Sequence, residues 1–306
     1  MPEEIFGEKY RFLDRKQILS FEEITRLTAI IIRLGAVKLR LTGGEPLVRQ
    51  QVDALVAQLS ALQGAEDLAM TTNGVRLPLY AQKLKDAGLK RVTVSLDSLD
   101  NDVFRRMNGG KADVEDVLKG IAAAEAAGLA PLKINAVVQR GVNDHTIVDL
   151  ARFCKERGYT LRFIEYMDVG TVNGWRMDHV VPAREIVERI DAVMPLVKLP
   201  RQYSSETALR FGYADGGGEI GLIASVTMPF CGDCSRLRLS PEGTIYTCLF
   251  ATEGIDLKTP LRSGASDDDL EALVRNGWES RTDRYSELRG SPDQTARKIE
   301  MYYIGG

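Results

Sequence analysis

The stretch Val37-Lys38-Leu39-Arg40-Leu41-Thr42-Gly43-Gly44-Glu45-Pro46 decides the fold of this 306-residue chain. Val37, Leu39 and Leu41 alternate with Lys38 and Arg40, which is the period of a strand. The run then stops at a Gly-Gly turn closed by proline. Upstream, Ser20-Phe21-Glu22-Glu23 reads as a capping box opening an amphipathic helix that ends at Gly35. Downstream the same unit repeats. A helix over 52–62 leads to a strand over 68–72 closed by Asn73-Gly74, and a helix over 79–87 leads to a strand over 92–97. A helix over 114–127 precedes a strand over 132–139, and one over 147–157 precedes a strand over 161–166. Five strands separated by helices predict consecutive parallel βα units in a barrel-like α/β sheet, too few for a closed eight-stranded barrel.

After about residue 195 the texture changes. Short strands are predicted over 208–213 and 219–227, around Asp215-Gly216-Gly217-Gly218. A hairpin follows with Pro241-Glu242-Gly243 at its turn, then a helix over 267–276. The division expected is therefore 1–190 and 191–306, with a boundary near 180–200.

Composition narrows the function. Hydrophobic residues make up 44% and charged residues 27%, with a formal net charge of −3, so any anion site must be local. That balance argues against a nucleic-acid partner. Only His145 and His179 are available, which disfavours Ser-His or Cys-His catalysis and His-rich metal sites. The opening MPEEIFGEKY carries no apolar signal core and no run approaches a membrane span, so a cytoplasmic protein is expected.

The segment FCGDCSRLRLSPEGTIYTCL, Phe230 to Leu249, concentrates the chemistry. Cys231 and Cys234 sit on one tight turn and Cys248 returns on the next strand. That is one thiolate short of a closed zinc site. An iron–sulfur cluster on three protein thiolates keeps one iron open. Zinc with a distant fourth ligand stays open as the alternative at this point. Arg236 and Arg238, two apart on a strand, share a face and can grip an anion. Cys154, on an amphipathic helix, reads as a small buried hydrophobe.

In parallel βα architectures ligands sit at the carboxyl ends of the strands. Here those ends read Thr42-Gly43-Gly44-Glu45, Thr71-Thr72-Asn73-Gly74, Ser95-Leu96-Asp97, Asn135 and Glu165-Tyr166-Met167. Lys38, Arg40 and Lys133 fall inside strands. They require either carboxylates such as Glu45 or Glu165, or a bound polyphosphate.

Taken together, KLRLTGGEPLVR, MTTNG, TVSLDSL, KINAVV, RFIEYMDVG, Cys-x2-Cys-x13-Cys with its internal Arg-Leu-Arg, and the terminal Gly305-Gly306 resemble one family. It is the radical S-adenosylmethionine (SAM) GTP 3′,8-cyclases of molybdenum cofactor biosynthesis. The resemblance implies a partial (β/α)-barrel of the radical SAM type, with a smaller C-terminal α+β domain carrying a second Fe-S site. By it, Gly43, Gly44, Glu45, Ser95 and Met167 contact SAM. Arg40, Thr71, Lys133, Arg236, Leu237 and Arg238 contact GTP, with Lys38 a weaker candidate. Cys231, Cys234 and Cys248 hold a 4Fe-4S cluster whose open iron takes the guanine ring. The implied reaction converts GTP to 3′,8-cyclo-7,8-dihydro-GTP, and cyclic pyranopterin monophosphate synthase is the implied pathway partner. A homodimer is compatible with the resemblance; the residues themselves give no oligomeric state.

The chain departs from that pattern at Met1-Pro2, where the family's Cys-x3-Cys-x2-Cys would just have ended. The expectation is an N-terminally truncated form, lacking the ligands of the SAM-cleaving cluster and the first strand. Such a polypeptide binds one cluster and is inactive in SAM cleavage; SAM and the second 4Fe-4S cluster belong to a longer form. Two other readings stand beside it. One is a different radical SAM enzyme with an auxiliary cluster, and the other a non-catalytic Fe-S or GTP-binding paralogue.

Overall fold

A computed structural model describes residue 14, residues 16–170 and 174–289, and residue 299. The first helix, α1 (Phe21–Arg33), starts at Ser20, whose hydroxyl accepts from the Glu23 amide while the Glu23 carboxylate reaches back to the Ser20 amide. This reciprocal capping satisfies amides that the first helical turn leaves orphaned. Then follow β1 (Lys38–Leu41), α2 (Val52–Ser60), β2 (Asp67–Thr72), α3 (Leu77–Asp86) and β3 (Arg91–Ser95). Two helices, α4 (Asn101–Asn108) and α5 (Val114–Ala126), lead to β4 (Lys133–Val138), α6 (Ile147–Glu156) and β5 (Thr160–Glu165). The chain continues through α7 (Ala183–Asp191), β6 (Leu196–Leu199), β7 (Leu209–Tyr213) and β8 (Glu219–Ile223). The last part holds β9 (Arg238–Leu239), β10 (Thr244–Tyr246), β11 (Ile255–Asp256), α8 (Lys258–Arg262) and α9 (Asp267–Glu279).

Eight strands form one sheet in the order β1-β2-β3-β4-β5-β8-β7-β6. The first five are parallel, as the βα alternation predicted, and β8 adds parallel to β5. Then β7 and β6 run antiparallel. Among the described residues β1 and β6 are unjoined ends, so the architecture is an open α/β partial barrel. The sheet crosses residue 190 without a break.

One face of each strand is apolar and packs under the helices: Leu68, Met70, Val92, Val94, Ile134, Ala136, Leu161 and Phe163 are all buried. The alternate residues face the lumen. One close approach fixes a helix on this sheet. A Cβ at Gly120 of α5 would lie 2.0 Å from the Gly74 carbonyl oxygen, so only glycine lets α5 seat there.

A second, smaller core joins the C-terminal unit to α1. Leu19, Leu27 and Ile30 pack with Ile245, Leu257, Leu261, Leu270 and Val274. Around it Arg262 pairs with Glu23 at 2.7 Å and Arg26 with Asp267 at 2.7 Å. The three-stranded sheet β11-β10-β9 thereby sits against the start of the barrel.

Replacing Gly120 by alanine drives a methyl into a backbone carbonyl that cannot rotate away. The expected loss is about 2 kcal/mol of unfolding free energy, read as a lower urea midpoint at unchanged m-value. An unchanged midpoint would contradict this packing.

Candidate functional site

Parallel register gathers cations on the lumen face. Arg40 of β1 stands opposite Ala69, and Ala69 opposite Arg91; Thr93 stands opposite Lys133, and Asn135 opposite Arg162. Lys38 lies two residues before Arg40 on the same face. Of these five cations Arg91 alone is ion-paired among the described residues, to Asp67 through two bonds of 2.9 and 2.7 Å. Arg40 donates to the Thr71 and Thr93 hydroxyls at 2.8 and 3.2 Å. Among the described residues Lys38, Arg40, Lys133 and Arg162 make no ion pair with a carboxylate.

Glu45 and Glu165, the carboxylates expected to neutralise them, are occupied elsewhere, and Asp67, Glu206 and Glu219 act on the group without forming an ion pair with any of the four. Glu45 accepts from the amides of Leu47 and Asn73 and from the Thr72 hydroxyl, at 3.0, 2.8 and 2.8 Å. Glu165 points to the helix side, where it accepts from the amides of Ala183, Val226 and Thr227 and from the Thr227 hydroxyl. The carboxylate-pairing alternative for Lys38, Arg40 and Lys133 is therefore corrected: both glutamates are loop staples.

The electrostatic consequence is plain. Burial, then the charges of Arg162 and Arg91, lowers the pKa of Lys133 to about 8. Burial, then Arg91 and Arg162, lowers that of Arg40 to about 10, although the residue as a whole is exposed. Burial also lowers the pKa of Arg162. Gly221 opposite makes room for the Arg162 stem; a Cβ there would meet Arg162 Cγ at 3.3 Å.

At the carboxyl ends of the strands, Gly43 turns with φ +125°, a conformation for which a side chain is poorly suited. Ser95 ends β3 beside Asn135, whose buried Oδ1 has no hydrogen-bond partner among the described residues. A buried acceptor left open in this way is costly unless a ligand donates to it. Asp97 accepts from the Val137 amide at 2.8 Å, and burial pushes its pKa up to about 6. Met167, just past β5, accepts from the Ser225 hydroxyl through Sδ at 2.9 Å.

The three thiols Cys231, Cys234 and Cys248 line one pocket together with Met167, Ser225, Phe230 and Arg236. Cys231 and Cys234 lie on a short 3₁₀ turn, and Cys248 follows β10. All three are free thiols. Among the described residues no three His, Cys, Asp or Glu side chains converge on a single metal ion. Three thiols lining one pocket are the donor set that an iron–sulfur cluster with one open iron takes. Arg236 Nε donates to Cys234 Sγ at 3.3 Å. Burial pushes the Cys234 thiol up, but the charge and hydrogen bonds of Arg236 outweigh it and leave its pKa lowered. Burial raises the pKa of Cys248. Arg238 lies behind them, its pKa lowered to about 10 by burial and then by Arg236.

Several members of this site carry no motif signal. Arg162 hides inside the strand pattern Thr160-Leu161-Arg162-Phe163, where only the alternation marks it as lumen-facing. Asp168, Tyr285 and Arg289 form a clamp beside the thiol pocket. Asp168 accepts from the Tyr285 hydroxyl at 2.5 Å and from Arg289 Nε at 2.9 Å. Tyr285 stacks on Phe250 at 4.3 Å, and Arg289 donates to the Ser225 carbonyl at 3.0 Å. Thr71 stands in the cation group and the three cysteines in the thiol pocket, whereas Leu237 packs against the small core that joins the hairpin to α1. Met1, Pro2, Gly305 and Gly306 lie outside the described residues.

The site can be set beside known proteins. The model of the Radical SAM superfamily matches residues 5–154, and that of Molybdenum Cofactor Synthesis C matches residues 159–287. The GTP 3′,8-cyclase of Acidothermus cellulolyticus is 50% identical, over 100% of this chain and 91% of the relative. That of Xanthomonas axonopodis pv. citri is 48% identical, and that of Staphylococcus haemolyticus 42%, with the same coverage of both chains. Among the described residues no helix is long and apolar enough to cross a membrane.

Because Lys133 is half-neutral near pH 8 and an anion favours its charged form, polyphosphate binding must take up a proton above that pH. The apparent affinity for inorganic tripolyphosphate is expected to fall between pH 7.5 and 9, by roughly fivefold from this one group. Lys133→Met should weaken binding at pH 7.5 and flatten the profile. A profile unchanged in slope would show that Lys133 does not face the anion.

Proposed function

The chain belongs to the GTP 3′,8-cyclase family of the radical SAM superfamily, and we propose that its residues hold one GTP molecule between the lumen cations and the cysteine hairpin. The observation that carries this reading is the cation group: Lys38, Arg40, Lys133 and Arg162 crowd one lumen without carboxylate partners among the described residues. A triphosphate supplies the missing charge, and guanidinium forks match its oxygens. Thr71 holds Arg40 in that lumen.

At the other end of the ligand, Cys231, Cys234 and Cys248 would hold a 4Fe-4S cluster with one iron left for the guanine ring. Arg236, Leu237 and Arg238 would run along the nucleotide. Gly43, Gly44, Glu45, Ser95 and Met167 would receive SAM at the strand ends, where the close-approaching glycine backbone and the open Asn135 acceptor suit a polar ligand. In a longer form that also holds the SAM-cleaving cluster, the clusters and SAM would supply the radical chemistry that joins C3′ of GTP to C8. The residues of this chain bind, orient and neutralise. Fixing the triphosphate would set the ribose against the radical source.

Residues 1–306 contain four cysteines. Three belong to the hairpin; Cys154 is buried and its pKa is raised to about 12 by burial, so it is no ligand. This polypeptide thus supplies thiolates for one cluster. We read 1–190 as the part that receives SAM and 191–306 as the part that brings the cluster, acting across one continuous sheet. A cytoplasmic enzyme working beside cyclic pyranopterin monophosphate synthase fits this chemistry.

Anaerobic reconstitution of the 306-residue chain should give about four irons with matching sulfide and no zinc. Cys248→Ala should lose most of that iron. GTP should bind the loaded chain, and Arg162→Ala should weaken it at least about tenfold, the scale of one charge-assisted contact. Four-coordinate zinc at the hairpin would overturn the reading.

A further inference from the structure

The connection between β6 and β7 is built to hold one aromatic ring over the cations. Lys38 Nζ, on one open edge of the sheet, sits 3.8 Å from the centroid of the Tyr203 ring, which belongs to the opposite edge. The Tyr203 oxygen lies within electrostatic reach of Arg40 and Arg162, the next two cations of the lumen. The side of the barrel that shows no strand pairing among the described residues is thus bridged by a phenol. Tyr203 remains 42% exposed, so the ring is open to a ligand.

That loop is held firmly. The buried Glu206 accepts from the Gln202 amide at 2.8 Å, and the Glu206 amide donates to the Tyr203 carbonyl at 3.1 Å. Arg210 reaches back to the Pro200 carbonyl at 3.2 Å. Arg201 donates to the Ser204 carbonyl at 3.3 Å and pairs with Asp233 at 2.8 Å. Asp233 stands between Cys231 and Cys234 on the cysteine turn. A chain of contacts therefore runs from Lys38 through Tyr203 and Arg201 to the turn that carries two of the thiols.

We propose that Tyr203 is a nucleotide-contacting residue: its ring holds the Lys38 ammonium at the open seam of the barrel, and its hydroxyl donates to an oxygen of the bound triphosphate. The inference rests on the reading that the lumen cations take the phosphates of GTP. A tyrosine suits the position because its O–H can donate to an anion while its face tolerates a cation. The Arg201–Asp233 pair is the positioning contact, fixing the loop relative to the cysteine turn so that the phenol meets the far end of a ligand based at the hairpin.

The test is binding of GTP and of guanosine to the cluster-loaded full chain under anaerobic conditions, with iron content as the check on folding. Tyr203→Phe should weaken GTP by about threefold and Tyr203→Ala by about tenfold, while guanosine affinity stays constant. Should the alanine variant fail to load its cluster, the phenylalanine variant decides, and an unchanged GTP-to-guanosine ratio there overturns the proposal. An equal loss for GTP and guanosine also overturns it, since the effect is then general. Arg162→Ala separates the two readings. If it weakens GTP while neither Tyr203 variant does, the phosphate site stands and the role of Tyr203 falls. If none of the three alters GTP binding, the phosphate site falls as well.

Discussion

Like charges gathered on one face of a sheet are the constraint to which the rest of this structure answers. Lys38, Arg40, Lys133 and Arg162 are brought together by parallel register, each on the alternate, lumen-facing position of its strand. Their mutual repulsion and loss of water oppose folding, and the pKa values of Arg40 and Lys133 fall for that reason. A fold seeking only stability would place carboxylates among them. Instead Glu45 and Glu165 face away and spend their oxygens on backbone amides. The sheet's opposite, apolar face carries the stability that this lumen lacks.

Much of this frame is legible in the sequence because it is local. Capping at Ser20, glycine stops at Gly35, Gly88 and Gly128, and strict alternation in Lys133–Val138 each act over a few residues. The helix α4 escapes that reading because Asn101–Asn108 is mostly polar, buries fully only Phe104, and depends on Asp100 capping two amides. The helix α7 is similar: its start at Ala183 is fixed by Glu165, eighteen residues earlier. The run over 219–227 reads as one strand of a hairpin around Asp215-Gly216-Gly217-Gly218, and β8 does pair antiparallel with β7; what the run does not show is that its other edge adds in parallel to β5. Sequence alternation marks a strand without naming its neighbour, and so the sheet's growth past residue 190 is not visible in it.

The site divides along the same line. The thiols, Arg236 and Arg238 lie within one twenty-residue segment, and spacing alone announces them. Arg162, Tyr203, Asp168 and Arg289 are joined to the site only by tertiary contact. The Asp168–Arg289 pair shows why such residues matter. Both side chains are about nine-tenths buried, and the guanidinium lies 5.5 to 5.9 Å from the rings of Phe250, Tyr285 and Trp175. A buried pair of this kind contributes little net stability but tolerates the loss of neither partner. It fixes the segment bearing Tyr285 against the strand end bearing Met167, and hence one wall of the thiol pocket.

These contacts also bear on the proposal that the thiols and the cations serve one ligand. The hairpin is carried by a small core on α1, at the beginning of the described barrel, while its thiol turn is tied to Asp233–Arg201 at the β6–β7 connection. The clamp at Asp168 adds a third tie, at the end of β5. The hairpin and its thiol turn are thus attached at α1, at the β6–β7 connection and at the end of β5. A ligand that reaches both thiols and cations must be long, anionic at one end and able to meet a metal at the other. A nucleoside triphosphate has that asymmetry, whereas a compact anion would engage the lumen alone and gain nothing from the hairpin.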